Sequence, residues 1–108
     1  MLYIKQENTD WGIVRHYNDN EYRFALYSYN DDPNTMYLAN VKVKQSSRGK
    51  NIGNMILKFA EEESKKYGFN AIVLVVFKKS WVYDWYARHG YENYSDNGQY
   101  MWMRKSIE

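Results

Sequence analysis

Val41-Lys42-Val43-Lys44-Gln45-Ser46-Ser47-Arg48-Gly49-Lys50-Asn51-Ile52-Gly53-Asn54-Met55-Ile56-Leu57-Lys58-Phe59-Ala60 is the stretch on which the reading of this chain turns. Its first four residues alternate apolar and charged, the period of a strand with one apolar and one wet face. The end of the stretch has another period. Ile52, Met55, Ile56, Phe59 and Ala60 recur at i, i+3, i+4, i+7 and i+8, the stripe of an amphipathic helix. Between them lies a polar, basic loop with Gly49 inside it and Gly53 just past its end. Glu61/Lys65 and Glu62/Lys66 are spaced for i,i+4 pairs on the wet side of the helix. Tyr67-Gly68 ends it, because glycine suits the left-handed C′ position. The run Ala71-Ile72-Val73-Leu74-Val75-Val76-Phe77 is apolar on both faces and predicts a central strand covered on both sides. The strands on either side of the helix should run parallel, since strand–helix–strand units close that way.

Outward from this unit the pattern is β on one side and mixed on the other. Tyr3 to Gln6, Gly12 to Tyr17, Tyr22 to Tyr29 and Met36 to Lys44 are runs of β-formers. Polar clusters separate them, among them Asn18-Asp19-Asn20 and Asn30-Asp31-Asp32-Pro33-Asn34. These predict antiparallel hairpins. Downstream, Ser80 is suited to cap a second helix, with Asp84 in its early turns and Val82, Trp85, Tyr86 and His89 on its apolar face. His89-Gly90-Tyr91 ends it as Tyr67-Gly68-Phe69 ends the first: a glycine, then a ring able to pack back on the helix. Tyr91 to Tyr94 and Gln99 to Lys105 predict a closing hairpin that turns through Ser95-Asp96-Asn97-Gly98. The class is α+β: antiparallel N-terminal strands, one parallel crossover, a second helix and a final hairpin in a mixed sheet.

Composition narrows function. The 108 residues suit one domain, 1–108. Fifteen Lys and Arg against thirteen Asp and Glu leave a net charge of +2, which argues against a histone-like nucleic-acid binder. The chain has no cysteine, which excludes a disulfide framework, a thiolate zinc site and a cysteine nucleophile. Two histidines, His16 and His89, are too few for a histidine metal cluster, so no metal is expected. Seven apolar residues cannot span a bilayer, and charge enters the N-terminus at Lys5, so neither membrane nor signal peptide is expected. A soluble cytoplasmic domain is the resulting expectation. Twelve Tyr, four Trp and four Phe supply either half-buried strands or a surface for stacking bases, and the strand-like spacing of the tyrosines favours the first. The rings leave a homodimer open.

Chemistry concentrates in Gln45 to Gly53. The first amides of a helix have no partner within it, and the helix dipole adds partial positive charge there. Gly49 and Gly53 let a ligand approach the backbone, Arg48 and Lys50 add full charges, and Asn51 tolerates a left-handed conformation. This is an anion site in outline, or else a solvated basic turn.

The run Val43-x-x-x-x-Arg48-Gly49-Lys50-Asn51-Ile52-Gly53, followed by Met55-Ile56-Leu57, resembles the acyl-CoA signature of the GNAT N-acetyltransferase superfamily. A second likeness is Tyr86-Ala87-Arg88-His89-Gly90-Tyr91, a helix tyrosine followed at fixed spacing by glycine and an aromatic residue. The order of elements from Met36 to Lys105 agrees with that family. The chain departs from it in three places. Asn51 stands at the signature's first glycine. Lys78-Lys79-Ser80 stand where an asparagine is common. Between Gln6 and Trp11 there is no room for the two helices that usually wall the acceptor site.

The resemblance implies an acetyltransferase that uses acetyl-CoA as co-substrate and an unidentified amine as acceptor. It implies that the backbone of Val41 to Val43 pairs with the pantetheine arm. It implies a pyrophosphate cradle from the amides of Arg48, Gly49, Lys50, Asn51, Ile52 and Gly53, and Tyr86 as the general acid that protonates the departing thiolate. Read from the residues alone, Tyr86 is equally a packing ring with its hydroxyl at the core's edge. His89 fits a dipole-favoured residue at a helix C-terminus better than a base. Asp31, Asp32 and Glu7 qualify as a base only by being acidic. Trp81 and Trp85, after Lys78 and Lys79, could pack, grip the CoA adenine or stack on single strands. A non-catalytic acyl-CoA-binding module and a small nucleic-acid or protein interaction domain are the alternatives.

Overall fold

The computed structural model describes residues 2–108; Met1, the first residue of the segment read as carrying no leader, lies outside them. A meander opens the chain. Strands β1 (Tyr3–Asn8), β2 (Gly12–Asn18), β3 (Tyr22–Tyr29) and β4 (Asp32–Val43) each run antiparallel to the next. A 3-10 turn at Gln45–Ser47 leads into α1 (Ile52–Lys66), and β5 (Ala71–Phe77) returns parallel to β4. Helix α2 (Trp81–Arg88) precedes the hairpin of β6 (Glu92–Asn97) and β7 (Tyr100–Ser106). One seven-stranded sheet results, in the order β1-β2-β3-β4-β5-β7-β6. The α+β class, the parallel crossover and the closing hairpin are as expected.

Local chemistry explains the helix ends. Ser80 Oγ accepts from the Val82 amide and caps α2. Both helices close in the same way. Gly68 and Gly90 take φ of 86° and 92°. Phe69 N–H donates back to the Ser64 carbonyl, and Tyr91 N–H to that of Tyr86, at 2.9 and 3.1 Å. Each ring then packs home: Phe69 on the core, and Tyr91 edge-on against Tyr86 at 5.7 Å.

Both helices cover the same face of the sheet. Ile52, Ile56, Leu57 and Ala60 of α1 join Tyr17, Phe24, Leu26, Met36, Leu38, Ile72, Leu74, Val76, Met101 and Met103 in one core, against which Val82, Trp85 and Tyr86 of α2 pack. The opposite face carries no helix. Trp11, Tyr27, Tyr29, Tyr37 and Trp102 pave it in successive ring contacts at 5.0–6.4 Å. Among the described residues no helix is long and apolar enough to cross a membrane.

Several expectations are corrected. β4 begins at Asp32 rather than Met36: Asp32 pairs with Tyr29 across the two residues Asn30 and Asp31, and accepts from the Tyr37 hydroxyl at 2.7 Å. Pairing then skips Pro33 to Thr35, where proline has no amide to donate. Val41-Lys42-Val43-Lys44 does not alternate cleanly, because a bulge at Asn40 (φ 57°) breaks the register and leaves Val41 exposed. β5 is not covered on both sides along its whole length. Val75 and Phe77, on the helix-free face, remain 44% and 37% exposed. Glu61 pairs with Lys105 of β7 at 3.0 Å rather than with Lys65, and Lys66 lies 3.9 Å from Glu63 rather than beside Glu62. The last turn is Gly98-Gln99, tighter than expected, with Tyr94 bulged out of β6.

Candidate functional site

Strands β4 and β5 pair only at Thr35–Ala71, Met36–Ile72 and Tyr37–Val73. Beyond Tyr37 they part. β5 stays with β7 along its length, and β4 stays with β3 as far as Val43. Among the described residues, the edge of β4 from Leu38 to Val43 that faces β5 therefore has no strand partner. The bulge at Asn40 lies on this diverging segment, where the extra residue increases twist. Val41 is exposed, while Val43 is partly buried against the core.

The loop after β4 leads to the start of α1. Gly49 and Asn51 both take the left-handed region, at φ 84° and 63°. Asn51 is the N-cap of α1 and makes no capping bond with its side chain. The amides of Ile52, Gly53 and Asn54 thus lack a partner among the described residues. Arg48 is exposed and donates from Nε to the Val43 carbonyl at 3.4 Å. Lys50 lies 3.9 Å from the Glu21 carboxylate, in the β2–β3 connection. Space around Gly49 is empty, so ligand atoms could approach its backbone. Gly53 differs. A Cβ there would sit 3.2 Å from the Trp85 ring, so its bareness serves the crossing of α1 and α2.

Helix α2, which carries Tyr86, meets α1 at that crossing. Trp85 meets Gly53, and His89 at the end of α2 reaches Asn54 in the first turn of α1 at 2.6 Å. Tyr86 packs between Trp85 and Tyr91, and its hydroxyl has no hydrogen-bond partner among the described residues. Of the four other tyrosines with raised pKa, Tyr22 likewise has no hydroxyl hydrogen bond among the described residues, and three differ in this respect. Tyr17 donates to Glu63, Tyr37 to Asp32 and Tyr91 to Glu61. Burial and the adjacent carboxylate push all three up. For Tyr86 burial alone raises the pKa. It is a partly buried hydroxyl that burial keeps protonated.

The fold thus joins α2, which carries Tyr86, to the start of α1 through Trp85–Gly53 and His89–Asn54, and the loop 48–53 follows directly on the unpaired edge of β4. Glu7 lies apart on β1, 3.1 Å from His16, and Asp32 is engaged by Tyr37. Trp81 is 74% exposed and Trp85 is packed. Among the described residues no group of His, Asp or Glu could hold a metal ion. Sequence reasoning missed the Asn51–Asn54–His89 contacts and the use of Gly53 as a helix-crossing residue. The one available signal was the glycine at the second position of a helix.

The chain matches the profile of the "Acetyltransferase (GNAT) family" over residues 6–91. No curated protein sequence matches it. Among solved structures it is similar to PaiA N-acetyltransferase from Thermoplasma acidophilum in complex with coenzyme A (TM-score 0.72, 22% identity), covering 86% of this chain and 59% of that one. It is similar to a GNAT family acetyltransferase from Elizabethkingia anophelis with acetyl-CoA bound (TM-score 0.72, 16% identity, 88% and 76% covered). It is also similar to IAA acetyltransferase from Bacillus cereus (TM-score 0.71, 16% identity, 98% and 99% covered). At these identities the likeness is one of fold, and the chain spans 59% of the length of the first of them.

Proposed function

The chain belongs to the acetyltransferase (GNAT) family, and from that premise we propose that it moves the acetyl group of acetyl-CoA to a primary amine. The observation that carries this reading is the parting of β4 from β5 after Tyr37 and Val73, with the unpartnered first amides of α1 beside it. The unpaired edge of β4 suits the amide-bearing pantetheine arm, which would add to it as a strand does, through Val41 and Val43. The pyrophosphate would meet the loop Arg48–Gly53, where amides, helix dipole and the two basic side chains all favour an anion.

The chemistry is direct attack. A neutral amine adds to the thioester carbonyl, the new C–N bond leaves nitrogen with an extra proton that passes to solvent water, and the tetrahedral intermediate then collapses: the C–S bond breaks and the departing thiolate takes a proton. Tyr86 donates that proton from Oη, which burial keeps protonated at neutral pH. The enzyme's remaining task is to hold the reactants together and stabilise the carbonyl oxygen. No covalent intermediate is required, which suits a chain without cysteine. β1 and β2 are joined by the short turn at Thr9–Trp11, with no helices between them. The ring-paved face is therefore uncovered, which favours a bulky acceptor.

The test is release of CoA thiol, followed with a thiol reagent, across a panel of amino sugars, polyamines, amino acids and lysine-containing peptides. Amine-dependent release with at least one class is expected. Binding of acetyl-CoA without release for any amine would instead establish a non-catalytic acyl-CoA-binding module.

A further inference from the structure

Three polar side chains connect the end of α2 to the loop before α1. His89 places Nδ1 2.8 Å from the Trp85 carbonyl and Nε2 2.6 Å from Asn54 Oδ1. Asn54 Nδ2 donates in turn to Asn51 Oδ1. Both imidazole nitrogens are thus within hydrogen-bond reach of an oxygen, one in α2 and one in α1. From His89 Nε2 the relay runs through Asn54, in the first turn of α1, to Asn51 in the loop. With its Oδ1 engaged, exposed Asn51 keeps Nδ2 as an unused donor. Asn51 sits at φ 63°, ψ 23°, a conformation natural to glycine and disfavoured for most side chains. No capping bond secures it, so the contact with Asn54 is what fixes its side chain. The far end of the relay is anchored as well: the His89 ring lies 4.2 Å from the Trp85 ring, which abuts Gly53.

We propose that Asn54 and His89 are positioning residues that hold Asn51 left-handed and present its Nδ2 to the pyrophosphate of CoA. The inference rests on the reading of this loop as the cofactor site. Asn51 thereby does by restraint what a glycine would do by freedom, and it adds a donor that glycine lacks. Loop and second helix become one unit, so the residues that bind the anion and the helix that carries Tyr86 are set together.

The test is calorimetric titration with CoA of His89→Ala, Asn54→Ala and His89→Gln, each in the native background and in an Asn51→Gly background. In the native background the two alanine variants should bind CoA about five- to tenfold more weakly, the value of one well-placed hydrogen bond. With glycine at position 51 there is no side chain to hold, and the same substitutions should change affinity by less than about twofold. His89→Gln keeps an N–H able to reach Asn54 and should retain most of the affinity. Should His89→Ala fail to fold, Asn54→Ala carries the same comparison. Equal losses in both backgrounds would make His89 and Asn54 packing residues and overturn the proposal. Unchanged affinity in the native background would do so too. A native chain that binds no CoA would remove the cofactor reading, and this inference with it, before any variant is compared.

Discussion

At Tyr86 the two roles open to a helix tyrosine, packing ring and proton donor, differ by a single atom. Its ring contacts Trp85 and Tyr91, while its hydroxyl has no partner among the described residues. Tyr86→Phe removes the hydroxyl and keeps the ring. Stability should therefore change by less than about 0.5 kcal/mol. CoA affinity should stay within about twofold, and kcat should fall about 100-fold, the lower range for loss of a general acid. Steady-state kinetics with thermal melts would read all three, and an unchanged kcat would remove Tyr86 as the acid. At this scale the sequence is informative where a residue's own chemistry decides. The left-handed Asn51 and the cap at Ser80 are both legible, because each depends on a residue and its immediate neighbours. The contact between Asn54 and His89 is not legible, since it joins side chains 35 positions apart whose types each fit a solvated helix end equally well.

Elements follow the same division. α1, β5 and the start of α2 are readable from periodicity and caps, which are local. The bulge at Asn40 is not, because it answers to the partner strand: β3 and β4 must realign between Arg23 and Ala25. That bulge belongs to the unpaired segment of β4 on which the proposed site depends. The packing of α2 on α1 also hangs on one position. Gly53→Ala would place a methyl 3.2 and 3.3 Å from two atoms of the Trp85 ring, and the ring would have to give way. We expect the overpacked contact to cost about 1–3 kcal/mol against a gain of up to about 1 kcal/mol for replacing a helix glycine, a net loss of about 1–2 kcal/mol. That corresponds to a fall in Tm of roughly 4–16 °C for a domain of this size. CoA binding should weaken as well, because Trp85 supports His89. Thermal melts with and without CoA would measure both, and an unchanged Tm would show that the crossing tolerates a side chain.

Across the whole molecule, two tyrosines tie the layers together. Tyr17 of β2 donates to Glu63 of α1, and Tyr91, just after α2, donates to Glu61 of α1, which also holds Lys105 of β7. Folding raises both tyrosine pKa values, through burial first and the carboxylates next. In the unfolded chain these hydroxyls ionise near the usual 10.0, and in the fold only above it. Their contribution to stability is therefore complete below pH 10 and is lost as pH rises beyond it. Melts across the alkaline range should show Tm falling above about pH 10, less steeply in Tyr17→Phe; a Tm constant through pH 11 would contradict this. The α+β class and the crossover are legible at this scale because strand and helix periods differ. The gathering of rings on one helix-free face is not, since alternation along each strand does not say which face the helices will take. The most direct measurement is calorimetric titration of the chain with acetyl-CoA, with desulfo-CoA as control. The account predicts saturable binding of both at one site per chain, at micromolar concentration. A folded chain that binds neither up to millimolar ligand would contradict it and leave the loop as scaffold alone.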